Sequence, residues 1–147
     1  MKYFAYGSNM DPDRMKKRKV NFFSRQHAML KNYSLQFNKM AFTNPKEGKG
    51  NIVDGDDFVE GALYEINPLD RDKLDKAEGY PIEYDRINVV VRLDDKTEIE
   101  AFTYIAQPNK VRSRLKPTRE YLRHYLAAED ILSKEYYQKL KSWPTLD

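Results

Sequence analysis

Cysteine is missing from the 147-residue sequence, which excludes disulfide bonds and catalysis by a thiol. Histidine occurs only at His27 and His124, and neither belongs to a metal-binding pattern such as H-E-x-x-H, so no metal site is predicted. Ser8 has Tyr6 and Met10 where the nucleophile elbow of a serine hydrolase has glycines, which disfavours a Ser-His-Asp mechanism. Walker A and dinucleotide-binding motifs are missing too.

Long apolar segments and a strong charge imbalance are also missing. No stretch approaches the ~20 apolar residues of a membrane helix, and Met1-Lys2 leads into an expected strand without a signal-peptide pattern. The formal net charge is only +3, which makes no electrostatic case for nucleic-acid binding. We therefore expect a single cytoplasmic domain over residues 1–147, present as a monomer or small homo-oligomer.

Hydrophobic residues make up 40% of the chain and charged residues 33%, which is typical of a folded globular domain. Residue patterns predict an α+β fold whose mostly antiparallel sheet could close into a barrel. Asn44–Gly55, rich in glycine, is predicted to be a loop. Strands are predicted at Tyr3–Tyr6, His27–Phe37, Phe58–Ile66, Tyr84–Leu93 and Glu98–Ala106, and helices at Pro12–Lys19 and Pro68–Glu78 and after the caps Thr118 and Ser133.

The turn Gly7-Ser8-Asn9 is the first candidate site. It connects a short strand to the helix start Asp11-Pro12, and Gly7 tolerates backbone angles closed to other residues. Successive N–H groups in such a turn, followed by a helix N-terminus, can bind a carboxylate or a developing oxyanion. The alternative is an ordinary turn that binds nothing.

Glu78 is the second candidate. It is predicted to lie in the last turn of a helix, where the partial negative charge of the helix C-terminus raises the pKa of a carboxyl group. A carboxyl group with a raised pKa suits proton transfer near neutral pH. The alternative is an exposed glutamate at a frayed helix end.

Both candidates fit one family. YFAYGSNM at the start of the chain and AEGYPIEYDR further on resemble the gamma-glutamylcyclotransferase-like superfamily, which includes gamma-glutamylamine cyclotransferases. The shared marks are an aromatic strand running into Tyr-Gly-Ser-Asn, and the pair Glu78-Gly79 followed by Tyr84-x-Arg86. The likeness continues through FVEGALYEI, AFTYIA and KPTREYL and covers nearly the whole chain.

The resemblance implies a small mixed, mostly antiparallel β-barrel with flanking helices. It also implies a reaction without metal or cofactor, in which the α-amine of a gamma-glutamyl compound attacks its own γ-carbonyl and releases 5-oxoproline and a free amine. By position, Glu78 resembles the general acid/base of the family, and the Gly7 and Ser8 N–H groups would lie near the substrate carboxylate or oxyanion. The substrate-binding residues it implies are Tyr3, Phe4, Ala5, Tyr6, Gly7, Ser8, Asn9, Tyr104 and Tyr121.

The sequence leaves three questions open. The leaving group can be an amino acid, a lysine side chain or a specialised amine. The same pocket can belong to a binding module that holds a small carboxylate without turnover. Lys16–Lys19 and Lys110–Lys116 can contact nucleic acid, but a solvated helix end explains the first run better, and core packing explains the aromatic residues better than base stacking.

Overall fold

Five strands close into a barrel in the computed structural model, which describes residues 1–147. The order around the barrel is β1-β3-β2-β4-β5, so the first strand lies between the third and the fifth. The strands are β1 (Lys2–Ala5), β2 (Phe22–Met40), β3 (Gly48–Ile66), β4 (Tyr84–Arg92) and β5 (Glu98–Ala106).

Four of the five strand pairings are antiparallel, namely β1 with β3, β3 with β2, β2 with β4 and β4 with β5. The fifth pairing is parallel and closes the barrel where Tyr3 of β1 lies opposite Phe102 of β5. The predicted fold class, a mixed and mostly antiparallel barrel with flanking helices, is therefore confirmed.

Four short helices lie outside the barrel, and three of them begin at predicted caps. The side chains of Asp11, Thr118 and Ser133 each accept a hydrogen bond from a backbone N–H of the first turn. The second helix ends at Gly79, whose φ of 71° is the left-handed cap conformation that glycine favours. The helices are α1 (Pro12–Lys17), α2 (Arg71–Glu78), α3 (Arg119–Leu126) and α4 (Lys134–Lys141), so α1 is two residues shorter than predicted.

The loop predicted over Asn44–Gly55 is wrong from Gly48 onward, because β3 begins at that residue. Two of the glycines there, Gly48 and Gly50, mark close packing instead of a turn. A Cβ atom on Gly48 would lie 2.0 Å from the carbonyl oxygen of Phe37, and one on Gly50 would lie 2.0 Å from the hydroxyl of Tyr125.

One hydrophobic cluster of 31 buried residues fills the molecule, with contributions from all five strands and all four helices. Aromatic side chains form much of it, including the stacked pair Tyr3–Phe102 at the barrel closure. None of the helices has both the length and the apolar character needed to span a bilayer. The core thus holds β1 firmly, and with it the start of the turn that follows.

Candidate active site

A pocket lined by six tyrosines lies beside the turn that follows β1. We call it the inner pocket, and its cavity measures about 30 Å³. Four strands and two helices contribute to it, so it exists only in the assembled fold. Its twelve lining residues are Tyr3, Tyr6, Gly7, Ser8, Asn9, Gly50, Glu78, Tyr84, Thr103, Tyr104, Tyr121 and Tyr125.

The turn forms one wall of this pocket, where Gly7, Ser8 and Asn9 are among the lining residues. Gly7 has φ −115° and ψ −143°, so it does not adopt the left-handed conformation that glycine favours. A Cβ atom there would lie 3.1 Å from the Tyr125 hydroxyl, a tight contact that a side chain at this position would have to relieve. Ser8–Met10 then forms a 3-10 turn before α1 begins. The Gly7 N–H donates no hydrogen bond, and the Ser8 N–H begins the 3-10 turn, where N–H groups lack partners within the turn.

Glu78 places the only carboxyl group in the inner pocket, and its side chain is 18% exposed. Its Oε1 accepts a hydrogen bond from Nδ2 of Asn9 at 2.8 Å and lies 3.4 Å from Nη1 of Arg18. Asn9 Nδ2 also donates to the hydroxyl of Tyr3 at 2.9 Å, while Asn9 Oδ1 accepts from Arg18 at 2.5 Å. The carboxyl group is therefore held in place, which contradicts the alternative of an exposed, frayed helix end.

Burial raises the pKa of Glu78, and the positive charges of Arg18 and Arg14 only partly oppose this effect. The direction agrees with the prediction, but the main cause is removal from water instead of the helix terminus. The sequence predicted that Arg18 belongs to a solvated helix end, and this prediction is wrong. Lys16 and Lys17 are exposed as expected. The side chain of Arg18 points towards Asn9 and Glu78, because its Nη1 donates hydrogen bonds to Asn9 Oδ1 and Glu78 Oε1.

Gly50 of β3 connects three of the tyrosines. Its N–H donates to the hydroxyl of Tyr121 at 3.0 Å, and its carbonyl oxygen accepts from the hydroxyl of Tyr84 at 2.7 Å. The hydroxyls of Tyr121 and Tyr125 lie 3.2 Å apart. Burial raises the pKa of Tyr121, so its hydroxyl stays protonated.

Tyr6 and Tyr104 also line the pocket, and both hydroxyls have acceptors within the protein. The hydroxyl of Tyr6 donates to the backbone carbonyl of Tyr104 at 2.7 Å, and the hydroxyl of Tyr104 donates to Asp75 of α2 at 2.6 Å. Burial also raises the pKa of Tyr104. The hydroxyls around Glu78 are therefore fixed in direction by the protein itself.

Eight of the ten predicted site residues line the inner pocket. Phe4 and Ala5 do not: both are buried in the core, and the Phe4 ring packs against Gly61 on β3. Alternation along β1 explains this outcome for Phe4, because Tyr3 and Phe4 point to opposite faces of the strand. Residues missed as site members are Arg18, Gly50, Tyr84, Thr103 and Tyr125. Of these, Tyr84 and Thr103 stood in quoted motifs, AEGYPIEYDR and AFTYIA.

A second, larger pocket adjoins the first, and we call it the outer pocket. Its cavity measures about 390 Å³, and it shares Ser8, Glu78, Tyr84 and Tyr121 with the inner pocket. Glu78 thus lies where the two pockets meet. Most of the other side chains of the outer pocket are basic, and these are Arg14, Arg18, Lys39, Lys49 and Lys76.

Comparison with solved structures identifies relatives over the whole chain. A structure described as gamma-glutamyl cyclotransferase has a TM-score of 0.87 and 28% identity, over 100% of this chain and 89% of that one. An uncharacterized protein from Homo sapiens has the same TM-score and identity, over 99% and 89% of the two chains. YkqA from Bacillus subtilis has a TM-score of 0.86 and 27% identity, but the match spans 55% of that longer chain.

No curated protein sequence matches the chain. Residues 3–125, however, match the family described as gamma-glutamyl cyclotransferase, AIG2-like. This match includes the turn after β1, Glu78 and all of the inner pocket. The chain therefore belongs to the gamma-glutamyl cyclotransferase, AIG2-like family, and it has the fold of those enzymes.

Proposed function

We propose that the protein is a gamma-glutamylcyclotransferase that converts a gamma-glutamyl amino acid or amine into 5-oxoproline and the free amine. The observation that carries this proposal is Glu78: one carboxyl group with a raised pKa, held by Asn9, in a pocket that contains no histidine, cysteine or lysine. Such a pocket supplies a proton acceptor but no strong protein nucleophile. That combination suits a reaction in which the substrate brings its own nucleophile.

The proposed chemistry needs one proton carrier. The ionised carboxylate of Glu78 takes a proton from the α-ammonium group of the substrate, and the free amine then attacks the γ-carbon. A carbon–nitrogen bond forms, which closes the five-membered lactam. The bond from the γ-carbon to the leaving nitrogen breaks, and Glu78 returns its proton to that nitrogen. Glu78 is ionised again at the end of the reaction, because it has returned the proton that it took. The reaction involves no oxidation or reduction.

Positioning supplies most of the rate in this proposal. Well-oriented intramolecular attack can contribute about 7–11 kcal/mol to lowering the barrier. We assign this task to the turn after β1, where the N–H groups of Gly7 and Ser8 would bind the substrate carboxylate or the developing oxyanion. Tyr121 and Tyr104 would also contact the bound substrate, since both line the pocket and their hydroxyls are held by hydrogen bonds.

Glu78→Gln tests the proposal. Wild-type protein and the variant are incubated with a panel of gamma-glutamyl amino acids and amines, and 5-oxoproline is quantified by mass spectrometry. Loss of a general acid/base predicts a fall in kcat of about 10²–10⁴-fold. Glutamine keeps the shape and can still accept a hydrogen bond from Asn9, so folding is expected to survive.

The other outcomes are equally informative. Equal turnover by both proteins would keep the reaction and remove Glu78 from its role. Absence of product from every substrate, with folded protein, would reject the cyclotransferase. Tight binding of a gamma-glutamyl compound without turnover would then favour the module that holds a small carboxylate.

A further inference from the structure

We propose that the outer pocket selects gamma-glutamyl compounds whose leaving amine carries a carboxylate, and that Arg14 is the residue that recognises it. This inference rests on the proposed function, because it assigns the leaving group to a place in the same site. Among the leaving groups that the sequence leaves open, it favours those that carry a carboxylate, an amino acid or lysine, over an amine that carries none.

The position of Glu78 decides where the leaving group lies. The carboxyl group that takes the proton from the α-ammonium group also returns it to the leaving nitrogen, so that nitrogen must approach Glu78. The inner cavity, at about 30 Å³, is too small to hold a whole dipeptide. The outer cavity is about 390 Å³ and begins at the same carboxyl group, so the leaving group extends into it.

The charges of the outer pocket disfavour a cationic leaving group. Five basic side chains line it against two carboxyl groups, those of Glu78 and Glu83. Lys39 already pairs with Glu83 at 2.6 Å, and Lys49 pairs with Glu47 at 2.8 Å. Positive charge therefore remains after these pairs are formed, and it would repel a diamine and attract a carboxylate.

Arg14 has no carboxylate partner and is held in position by a neutral group. Its Nη1 lies 3.0 Å from Nε2 of His124, whose Nδ1 lies 2.8 Å from Oδ2 of Asp11. Arginine can only donate, so Nε2 of His124 accepts and its Nδ1–H donates to Asp11. The guanidinium is thus oriented by His124 while its charge stays available. Its Nε is buried without a hydrogen-bond partner, which leaves a further donor unused.

A matched pair of substrates tests the selection. γ-Glutamyl-alanine and γ-glutamyl-alaninamide differ only in a carboxylate against a neutral amide, and a γ-glutamyl monoamide of 1,4-diaminobutane supplies the cationic case. One charge-assisted contact predicts that kcat/KM favours γ-glutamyl-alanine over the alaninamide by about tenfold or more. Because salt screens such attraction, the preference should shrink between about 25 mM and about 300 mM salt.

Three variants assign the effect to Arg14. Arg14→Met should lower the ratio of the two kcat/KM values about tenfold. Lys16→Met removes an exposed charge from the same helix and should leave the ratio as it is. His124→Phe removes the acceptor that orients Arg14, so KM for γ-glutamyl-alanine should rise without a matching fall in kcat, and His124→Gln should restore part of the loss. If Arg14→Met does not fold, the two His124 variants still test the role of Arg14, and the salt dependence of the wild type tests the preference for a carboxylate.

A binding measurement tests this inference separately from the proposed function. Calorimetry with Glu78→Gln measures the affinity for the same two compounds without turnover. Tighter binding of γ-glutamyl-alanine supports the selection even if the wild type releases no 5-oxoproline, an outcome that rejects only the cyclotransferase. Equal affinity and equal kcat/KM for the two compounds, or a preference for the diamine derivative, would overturn the selection while leaving the reaction in place.

Discussion

Asn9 connects the polar groups of the inner pocket. Its amide nitrogen donates to both Tyr3 and Glu78, and its amide oxygen accepts from Arg18. An aspartate here could not donate to Glu78, and a serine could not span the three partners. The amide thus explains why a small polar residue stands in a buried position, and it links the charge of Arg18 to the carboxyl group.

Replacement of Arg18 is expected to change the pH dependence of the reaction. Burial raises the pKa of Glu78 and Arg18 lowers it, so Arg18→Gln should raise that pKa further. Glu78 accepts the first proton in its ionised form, so the rate rises with pH through this pKa. The acidic limb of the kcat/KM profile should therefore move to higher pH, as measured from about pH 4 to about pH 8.

Lys17→Gln is the matched control for Arg18. It removes an equal charge from the neighbouring residue, whose side chain is exposed and lies outside both pockets. Its profile should overlay that of the wild type. An acidic limb that stays in place in Arg18→Gln, or moves equally in both variants, would show that Arg18 does not act on Glu78.

At the level of elements, local signals predicted the helices better than the strands. A helix cap can be recognised locally, because its side chain bonds to a backbone N–H within the next three residues. The caps Asp11, Thr118 and Ser133 therefore predicted where three of the helices begin. The extent of β2 and β3 depends on contacts that are distant in the chain, since each strand is 19 residues long and pairs mainly with the other. A sequence does not distinguish a glycine that is required by close packing from a glycine that is required by a turn.

Gly50 is a glycine that close packing requires, and it supports a prediction about β3. Gly50→Ala would place a Cβ atom 2.0 Å from the Tyr125 hydroxyl, so the tyrosines that meet at this strand must move. We expect a loss of about 1–3 kcal/mol in the free energy of unfolding, measured with urea. We also expect a loss of activity, because Tyr84 and Tyr121 are both bonded to the Gly50 backbone.

The same strand supplies the control for Gly50. At Gly55 the nearest atom to an added Cβ is Ser34 Cβ at 3.4 Å, an ordinary contact. Gly55→Ala should keep full activity and match or exceed the stability of the wild type, since glycine is less favourable than alanine within a strand by about 0.5–1 kcal/mol. Equal behaviour of the two variants would show that the tyrosines adapt to the added methyl group.

For the whole molecule, barrel closure is what creates the site. The turn after β1, the end of α2 and the inward face of α3 meet only when β1 inserts between β3 and β5. The turn and Glu78 were each candidates from local patterns, and the resemblance joined them into one site although they are distant in the chain. Arg18 and Tyr125 carry no comparable local signal, since a basic helix end and an apolar helix face have ordinary structural explanations.

A second polar cluster, remote from the site, joins four elements and supports a prediction about stability. His27 of β2 contacts Glu60 of β3 at 2.9 Å and Asp94 after β4 at 2.5 Å. Glu60 is 2% exposed and also accepts hydrogen bonds from the N–H and the hydroxyl of Ser133, the cap of α4. The hydrogen bond to Glu60 raises the pKa of His27 to about 9, against 6.5 for an ordinary histidine.

The raised pKa of His27 determines how the free energy of unfolding changes with pH. The protonated form of His27 is favoured more in the folded than in the unfolded chain, so its contribution is complete below about pH 6.5 and is lost as the pH rises through about 9. His27→Gln should therefore lower the free energy of unfolding by roughly 1–3 kcal/mol near pH 6.5, with a gap that closes towards pH 10. Urea titrations across this range measure the gap. Asp94→Asn, at a carboxylate that is 80% exposed, should give a smaller gap. A gap of the same size at both ends of the range would show that His27 acts through packing and not through its charge.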